Sequence, residues 1–249
     1  MTNKLMKGLV LRSRPYKEND MILTLFTPDS GVFTAMCRGV RRQRKVPAVY
    51  CQPFCYSEFK LFVGRSMPVV DDAEVIEQFY GLRGDLAKLS LAQYLADVCA
   101  QIPENLPDPE TLRLLLNSLY LISADKVRDA VVKVVFELRY AALHGFAPSG
   151  NICASCGRPA CKWVFEEGFL CSACAAGRGF SLDSDTISVI NIITSEQGMK
   201  PYLVKLTDDR LAYLGSISSQ YICRQMGYTP RSLEYYRKII GSSDSDAII

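Results

Sequence analysis

Over the first 77 residues apolar and polar positions alternate in short runs, at residues 5–12, 21–27, 32–38, 54–63 and 67–77, each rich in β-branched, aromatic or aliphatic side chains. Turn-forming residues separate the runs, notably at 15–20 and at Pro28-Asp29-Ser30-Gly31, which has the chemistry of a hairpin. In the fourth run Phe54, Tyr56 and Lys60 alternate with Cys55, Ser57, Phe59 and Leu61, so that one set faces a core and the other faces away. Five strands in this length predict a small closed barrel, either an OB-fold or an SH3-like barrel.

Beyond Tyr80 the period changes to that of a helix. Leu86, Leu89, Tyr94, Ala96 and Cys99 fall at helical spacings in a segment ending near Pro103. Asp108 followed by Pro109 predicts an N-cap with proline in the first helical position, opening a helix over 110–122. A third helix is expected from Asp125, with an apolar stripe of Val131, Val134, Val135, Leu138 and Ala142 and a C-cap at Gly145. Helical patterning resumes at 184–193 and at 208–226, where Gly227 ends it, and again at 231–240, before a polar tail at 241–246. The fold class is therefore α+β and multidomain: a five-stranded barrel at 1–79, a helical domain at 80–150 and 181–249, and a cysteine-rich module at 151–180 inserted in the latter.

The composition, 49% apolar and 22% charged over 249 residues, excludes a disordered chain. No run reaches the roughly 18 apolar residues of a membrane span, and the N-terminus lacks an apolar signal core, which predicts a cytoplasmic protein. In that setting ten cysteines point to metal ligation, catalysis or burial rather than to disulfides. The net charge of +3 conceals a division, because residues 1–68 hold 12 Lys or Arg against 4 acids, and the remainder 17 against 22. A basic module on an acidic body suggests nucleic-acid contact.

Two local patterns carry chemistry. Cys153-Ala154-Ser155-Cys156 is followed after 14 residues by Cys171-Ser172-Ala173-Cys174. Two CxxC pairs at this spacing supply a tetrahedral thiolate cage for Zn²⁺. With all four positions filled by cysteine the metal has no open site for catalysis and is structural; an iron–sulfur cluster is the rival. Residues 163–165 and 169–170 read as a ribbon hairpin around Glu167-Gly168, and Cys161 as a spare thiol, while Cys37, Cys51, Cys55, Cys99 and Cys223 lie in apolar contexts suited to a core. The second pattern is Arg38-Gly39-Val40-Arg41-Arg42-Gln43-Arg44-Lys45, five cations in eight residues at the exit of a strand. Such a loop follows a phosphate backbone without reading sequence, and Phe33, Tyr50, Phe54, Tyr56 and Phe59 nearby offer both core material and stacking surface. Enzymatic readings lack support: His144 is the single histidine, and P-loop, GxGxxG and HExxH motifs are absent. Gly81-Leu82-Arg83-Gly84 is too short a match to a GxxG clamp to count, and Asp71-Asp72 and Asp208-Asp209 suit turns and caps.

The order Lys7-Gly8-Leu9-Val10-Leu11, Tyr16-Lys17-Glu18-Asn19-Asp20, Leu25-Phe26-Thr27, Gly31, Arg38 to Arg42, and Gln52-Pro53-Phe54 resembles the RecO family of bacterial DNA repair and recombination mediators. The similarity continues through Phe136-Glu137-Leu138, through Leu143-His144-Gly145-Phe146-Ala147-Pro148 leading into the cysteine pairs, and through the helix around 211–214. The resemblance implies an N-terminal OB-fold, a helical domain with an embedded zinc-ribbon-like module, and no catalysis. It implies binding to single- and double-stranded DNA, annealing of complementary strands, and action with RecR to load RecA onto DNA covered by single-strand binding protein, in a cytoplasmic, nucleoid-associated setting. One departure is Val46-Pro47-Ala48, less polar than the serine- and lysine-rich loop usual in the family.

The residues expected to touch DNA are Lys7, Arg12, Arg14, Lys17, Arg38, Arg41, Arg42, Arg44, Lys45, Lys60 and Arg65. The tail of single-strand binding protein, acidic with apolar terminal residues, calls for an apolar pocket rimmed by cations; Arg113, Lys126, Arg128, Lys133 and Arg139 lie on the helices expected to carry it. The alternative is a zinc-stabilised protein–protein adaptor that does not bind DNA directly.

Overall fold

The computed structural model describes residues 2–40, 49–64 and 66–246. Its N-terminal strands are β1 (Thr2–Tyr16), β2 (Asp20–Thr27), β3 (Gly31–Cys37), β4 (Tyr56–Val63) and β5 (Val69–Glu77). They close into a barrel in the order β1-β2-β3-β5-β4, with β3 and β5 parallel and every other pair antiparallel. This order identifies the OB-fold and removes the SH3-like alternative. Closure depends on the length of β1, whose first half pairs with β4 and second half with β2, the strand bending at a bulge between Val10 and Arg12. Around the bulge Leu9, Val10 and Leu11 are all fully buried, and Val10 joins Leu23, Leu25, Phe33, Phe59 and Leu61 in the barrel core. Gly31 opens β3 at φ 63°, and a Cβ there would lie 2.3 Å from the carbonyl oxygen of Pro103, so the hairpin admits only glycine.

The helices are α1 (Leu86–Cys99), α2 (Pro109–Ser123) and α3 (Asp129–Leu143), then α4 (Ser172–Ala175), α5 (Ser184–Ser195), α6 (Asp208–Met226) and α7 (Arg231–Asp246). Their starts follow cap chemistry. The Asp85 carboxylate accepts from the Ala87 and Lys88 amides at 2.7 and 3.1 Å, and Asp108 accepts from the Thr111 amide at 3.1 Å with Pro109 first in the helix. Two boundaries differ from the sequence expectation. Asp125 takes a left-handed backbone (φ 54°), so α3 begins four residues later, at Asp129. Gly241 does not adopt the left-handed conformation that ends a helix, and α7 runs through the expected polar tail to Asp246.

By compactness the chain forms two units, Met1–Ala124 with Pro230–Ile249, and Asp125–Thr229. In the first, α1 packs on α2 and α7, beside the barrel. In the second, α3 packs on α5 and α6, next to a three-stranded sheet of β6 (Lys162–Val164), β7 (Gly168–Leu170) and β8 (Phe180–Ser181) in the order β7-β6-β8. The hairpin expected from sequence is β6–β7; β8 is added to its free side.

Candidate nucleic-acid interface and metal centre

Four of the expected DNA contacts are exposed: Lys7 and Arg14 on β1, Lys17 in the β1–β2 turn, and Arg38 just past β3. Lys17 Nζ lies 5.5 Å from the Tyr16 ring centroid. Two others are engaged. Arg12 donates to Asp97 of α1 through Nε and Nη2 at 3.1 and 2.7 Å, and that carboxylate also accepts from Gln93 and Ser232. Lys60 pairs with Asp71 at 2.7 Å, and the hydrogen bond from Lys60 to that carboxylate holds the ammonium pKa above its ordinary value. Arg41, Arg42, Arg44, Lys45 and Arg65 lie outside the described residues.

The pairing of Lys60 reflects a feature hidden in the sequence count. Strand β5 carries Asp71, Asp72, Glu74 and Glu77, so the complete barrel segment 1–79 holds 12 cations against 8 acids, a net of +4, and the rest 17 against 18. The barrel is thus not uniformly cationic. Among the described cations, Lys17 and Arg38 stand at one end of the barrel, where the β1–β2 turn meets the end of β3.

Two grooves lie at that end. One, of about 610 Å³, is formed by Lys17, Glu18, Asn19, Asp20, Arg38 and Gly39; the Gly39 amide donates to Asp20 at 2.8 Å, tying the turn to the end of β3. The other, of about 1280 Å³, lies against the β4–β5 connection and includes Asn3, Phe62, Ser66, Met67 and again Arg38. An OB-fold takes oligonucleotides on its β2–β3 face between the loops β1–β2 and β4–β5, and Arg38 stands between grooves beside those two loops.

The aromatic side chains divide in a way the alternation alone did not resolve. Phe33, Phe54 and Phe59 are buried, and Tyr50 packs edge-on against Phe59 with centroids 6.5 Å apart. Those presented to solvent are Phe62 (39% exposed) and Tyr16 (38%), neither singled out from sequence. Phe62 continues the outward set Glu58 and Lys60 along β4, a signal present in the period-2 pattern once its register is known.

In the second unit, Cys153, Cys156, Cys171 and Cys174 place their Sγ atoms within 4.8 Å of one another, with Cys156 and Cys171 3.6 Å apart. A tetrahedral ion with metal–sulfur bonds of about 2.3 Å needs sulfurs about 3.8 Å apart, so the four residues fit a metal ion. Cys161 is not among them: its backbone bridges Leu170 and Leu182 in the sheet. The module supplies donors to the thiolates. Arg158 Nε approaches Cys156 Sγ at 3.3 Å and lowers that thiol to a pKa of about 6. Cys153 is lowered as well, foremost by a backbone hydrogen bond at Cys171. Cys174 is lowered by Ser155 but, on balance, raised to about 11 by hydrogen bonding with Cys156, Cys171 and Cys153. Such a division among Cys153, Cys156 and Cys174 is what a bound cation removes by favouring the thiolate. Behind the cluster, fully buried Trp163 packs edge-on against Phe169 and Tyr221. Of the other cysteines, Cys37, Cys51, Cys55 and Cys99 are buried as expected, whereas Cys223 is only partly so.

The cations considered for a protein partner have varied settings. Lys126 is exposed. Arg113 is exposed and paired with Glu110, and Arg128 is exposed and paired with Asp208. Lys133 is buried and therefore unavailable to a partner: Nζ donates to Glu137 at 3.0 Å and to the Gly215 carbonyl at 2.9 Å, and it contacts Ser219. Arg139 is half-buried and donates to the Thr194 carbonyl at 2.7 Å, closing the end of α5. His144 caps α3 and packs at a tilt of 39° against Tyr140, centroids 4.2 Å apart. Gly81 belongs to a short 3-10 turn pressed on Ser123, where a Cβ would meet the carbonyl oxygen at 2.0 Å, a packing role rather than a phosphate clamp. No helix among the described residues is long and apolar enough to cross a membrane.

Comparison with known proteins bears on both units. A family model described as Recombination protein O N terminal matches residues 1–79, and one described as Recombination protein O C terminal matches residues 83–234. The DNA repair protein RecO of Alkaliphilus metalliredigens is 31% identical over 241 residues, covering 94% of this chain and 98% of that protein. The protein of the same name from Acetivibrio thermocellus is 29% identical over 239 residues, covering 93% and 95%, and that from Rubrobacter xylanophilus 32% over 151 residues, 61% of each.

Proposed function

The chain belongs to the RecO family of recombination proteins, and from that premise we propose that it is a non-catalytic DNA-repair mediator. In this reading it binds single- and double-stranded DNA, anneals complementary strands and, with RecR, promotes RecA loading on DNA covered by single-strand binding protein. The observation that carries the DNA-binding part is Arg38, shared by grooves beside the two loops through which OB-folds hold oligonucleotides. Lys17 and Arg38 hold phosphates, and in sequence Arg38 leads directly into Arg41, Arg42, Arg44 and Lys45, which extend the cationic run. Contacts of this kind are sequence-blind, and neutralised backbones permit two strands to approach and pair.

The metal is Zn²⁺, one per chain, bound by Cys153, Cys156, Cys171 and Cys174. Zinc, when bound, cross-links the ends of the module; it supplies no catalytic water, because four cysteines fill its coordination. For the acidic, apolar-ended tail of single-strand binding protein, the first unit offers an apolar pocket of about 530 Å³ containing Phe54, Leu86, Leu89 and Tyr235, with Arg83 at its side.

The test is annealing of complementary oligonucleotides coated with single-strand binding protein. The Lys17→Glu/Arg38→Glu variant is expected to anneal at least tenfold more slowly while its unfolding midpoint stays unchanged. Annealing at the wild-type rate would favour the adaptor reading, in which the barrel binds protein instead.

A further inference from the structure

The β4–β5 groove differs in chemistry from its cationic neighbour. Across the outward face of β1, β4 and β5 one row is Asn3, Phe62 and Val69, and the next is Leu5, Lys60 and Asp72. Leu5 is 63% exposed, Phe62 39% and Met67 36%, so three large apolar side chains meet solvent here. The neighbouring charges are unfavourable to phosphate: Lys60 is neutralised by Asp71, and Asp72 adds a further carboxylate. Arg38 alone among the groove's described side chains is a cation, and it belongs equally to the turn groove of Lys17.

We infer that this groove is a subsite for an unpaired nucleobase, stacked on Phe62 with Met67 beside it, while the adjoining phosphate lies on Arg38. The inference rests on the DNA-binding reading above and adds a division of labour to it. Phosphate held by Lys17 and Arg38 is common to single strands and duplexes, whereas a ring face is offered to Phe62 only by a base that has left its stack. Asn3 and Asp71 present hydrogen-bonding groups of the kind that base edges use. Preference for single strands then originates at Phe62, and affinity for any DNA at Arg38 and Lys17. A protein segment on the same apolar row is the competing occupant; the continuity with Arg38 and the cationic turn favours a nucleic-acid strand.

The test measures binding of three fluorescent probes by the full chain: a short single strand, the corresponding duplex, and a single strand of equal length made of abasic nucleotides. Phe62→Ala is expected to weaken the ordinary single strand about tenfold, leaving the duplex, the abasic strand and the salt dependence unchanged, and Phe62→Trp to restore binding. Wild-type affinity of Phe62→Ala for all three probes would overturn the subsite and leave the apolar row to a protein partner. Equal losses on all three, or failure of Phe62→Trp to restore the single strand, would also overturn it. Arg38→Glu separates this failure from failure of the underlying reading: if it leaves every probe bound normally, the DNA site itself is wrong, and if it weakens all three while Phe62→Ala weakens none, only the stacking subsite falls.

Discussion

At the scale of single residues the largest energetic stakes lie in the buried pair between α3 and α6. Lys133 and Glu137 are one helical turn apart, and Glu137 also accepts from Ser218 and Ser219 at 2.5 and 2.9 Å. Removing one charge strands the other in the interior, at a cost of roughly 3–5 kcal/mol. Glu137→Leu should therefore lower the urea midpoint severely, and adding Lys133→Met should recover much of the loss; a single-variant cost under about 1 kcal/mol would show that the pair is solvated. A second residue-scale prediction concerns pH. The Asp183 carboxylate caps α5, with the Thr186 amide at 2.8 Å as the main cause of a pKa below the ordinary 3.8 and Arg210 assisting. A carboxyl depressed on folding stabilises the fold above its unfolded pKa and loses that contribution as pH falls through the folded value. The stability gap between wild type and Asp183→Asn should thus close as pH is lowered below 3.8, and a gap equal at pH 3 and 7 would contradict this. Caps such as Asp108-Pro109 were legible in the sequence because their chemistry is local. The engagement of Arg12 was not, since its partner Asp97 lies 85 residues away, and neither was the burial of Lys133, whose lysine reads as surface until α6 packs over it.

At the scale of elements, alternation placed all five strands and helical spacing placed the long helices. What alternation did not settle was facing: Phe59 and Phe62 lie three residues apart on β4, one fully buried and one exposed, and register against β1 and β5 decides between them. The cysteine spacing made the four-thiol module legible in detail, because bringing four side chains to one point constrains the chain more tightly than packing does. Its helix α4 and the added strand β8 carry no comparable signal, being four and two residues long. The chain's single tryptophan, Trp163, is buried in this module and reports on it directly. A strong chelator or Cys153→Ser should shift Trp163 emission to longer wavelength with loss of about one zinc per chain, since folding of such modules is coupled to the metal. Unchanged emission in zinc-free protein would remove the structural role assigned to the metal.

At the scale of the molecule, charge is the property that structure most altered. Counted to residue 68 the N-terminal segment carries +8, yet the acids of β5 reduce the whole barrel segment to +4. In the proposed reading, DNA affinity comes from where cations stand, with Lys17 at the β1–β2 turn and Arg38 at the end of β3, rather than from a general attraction to a basic domain. Each phosphate neutralised steepens the fall of affinity with salt by about one unit on logarithmic axes, so placement is measurable. The most direct measurement is the salt dependence of single-strand binding by wild type and by Lys17→Glu/Arg38→Glu. The variant is expected to bind at least tenfold more weakly at moderate salt, with a slope shallower by about 2; identical affinity and slope in the two proteins would rule out Lys17 and Arg38 as the phosphate contacts.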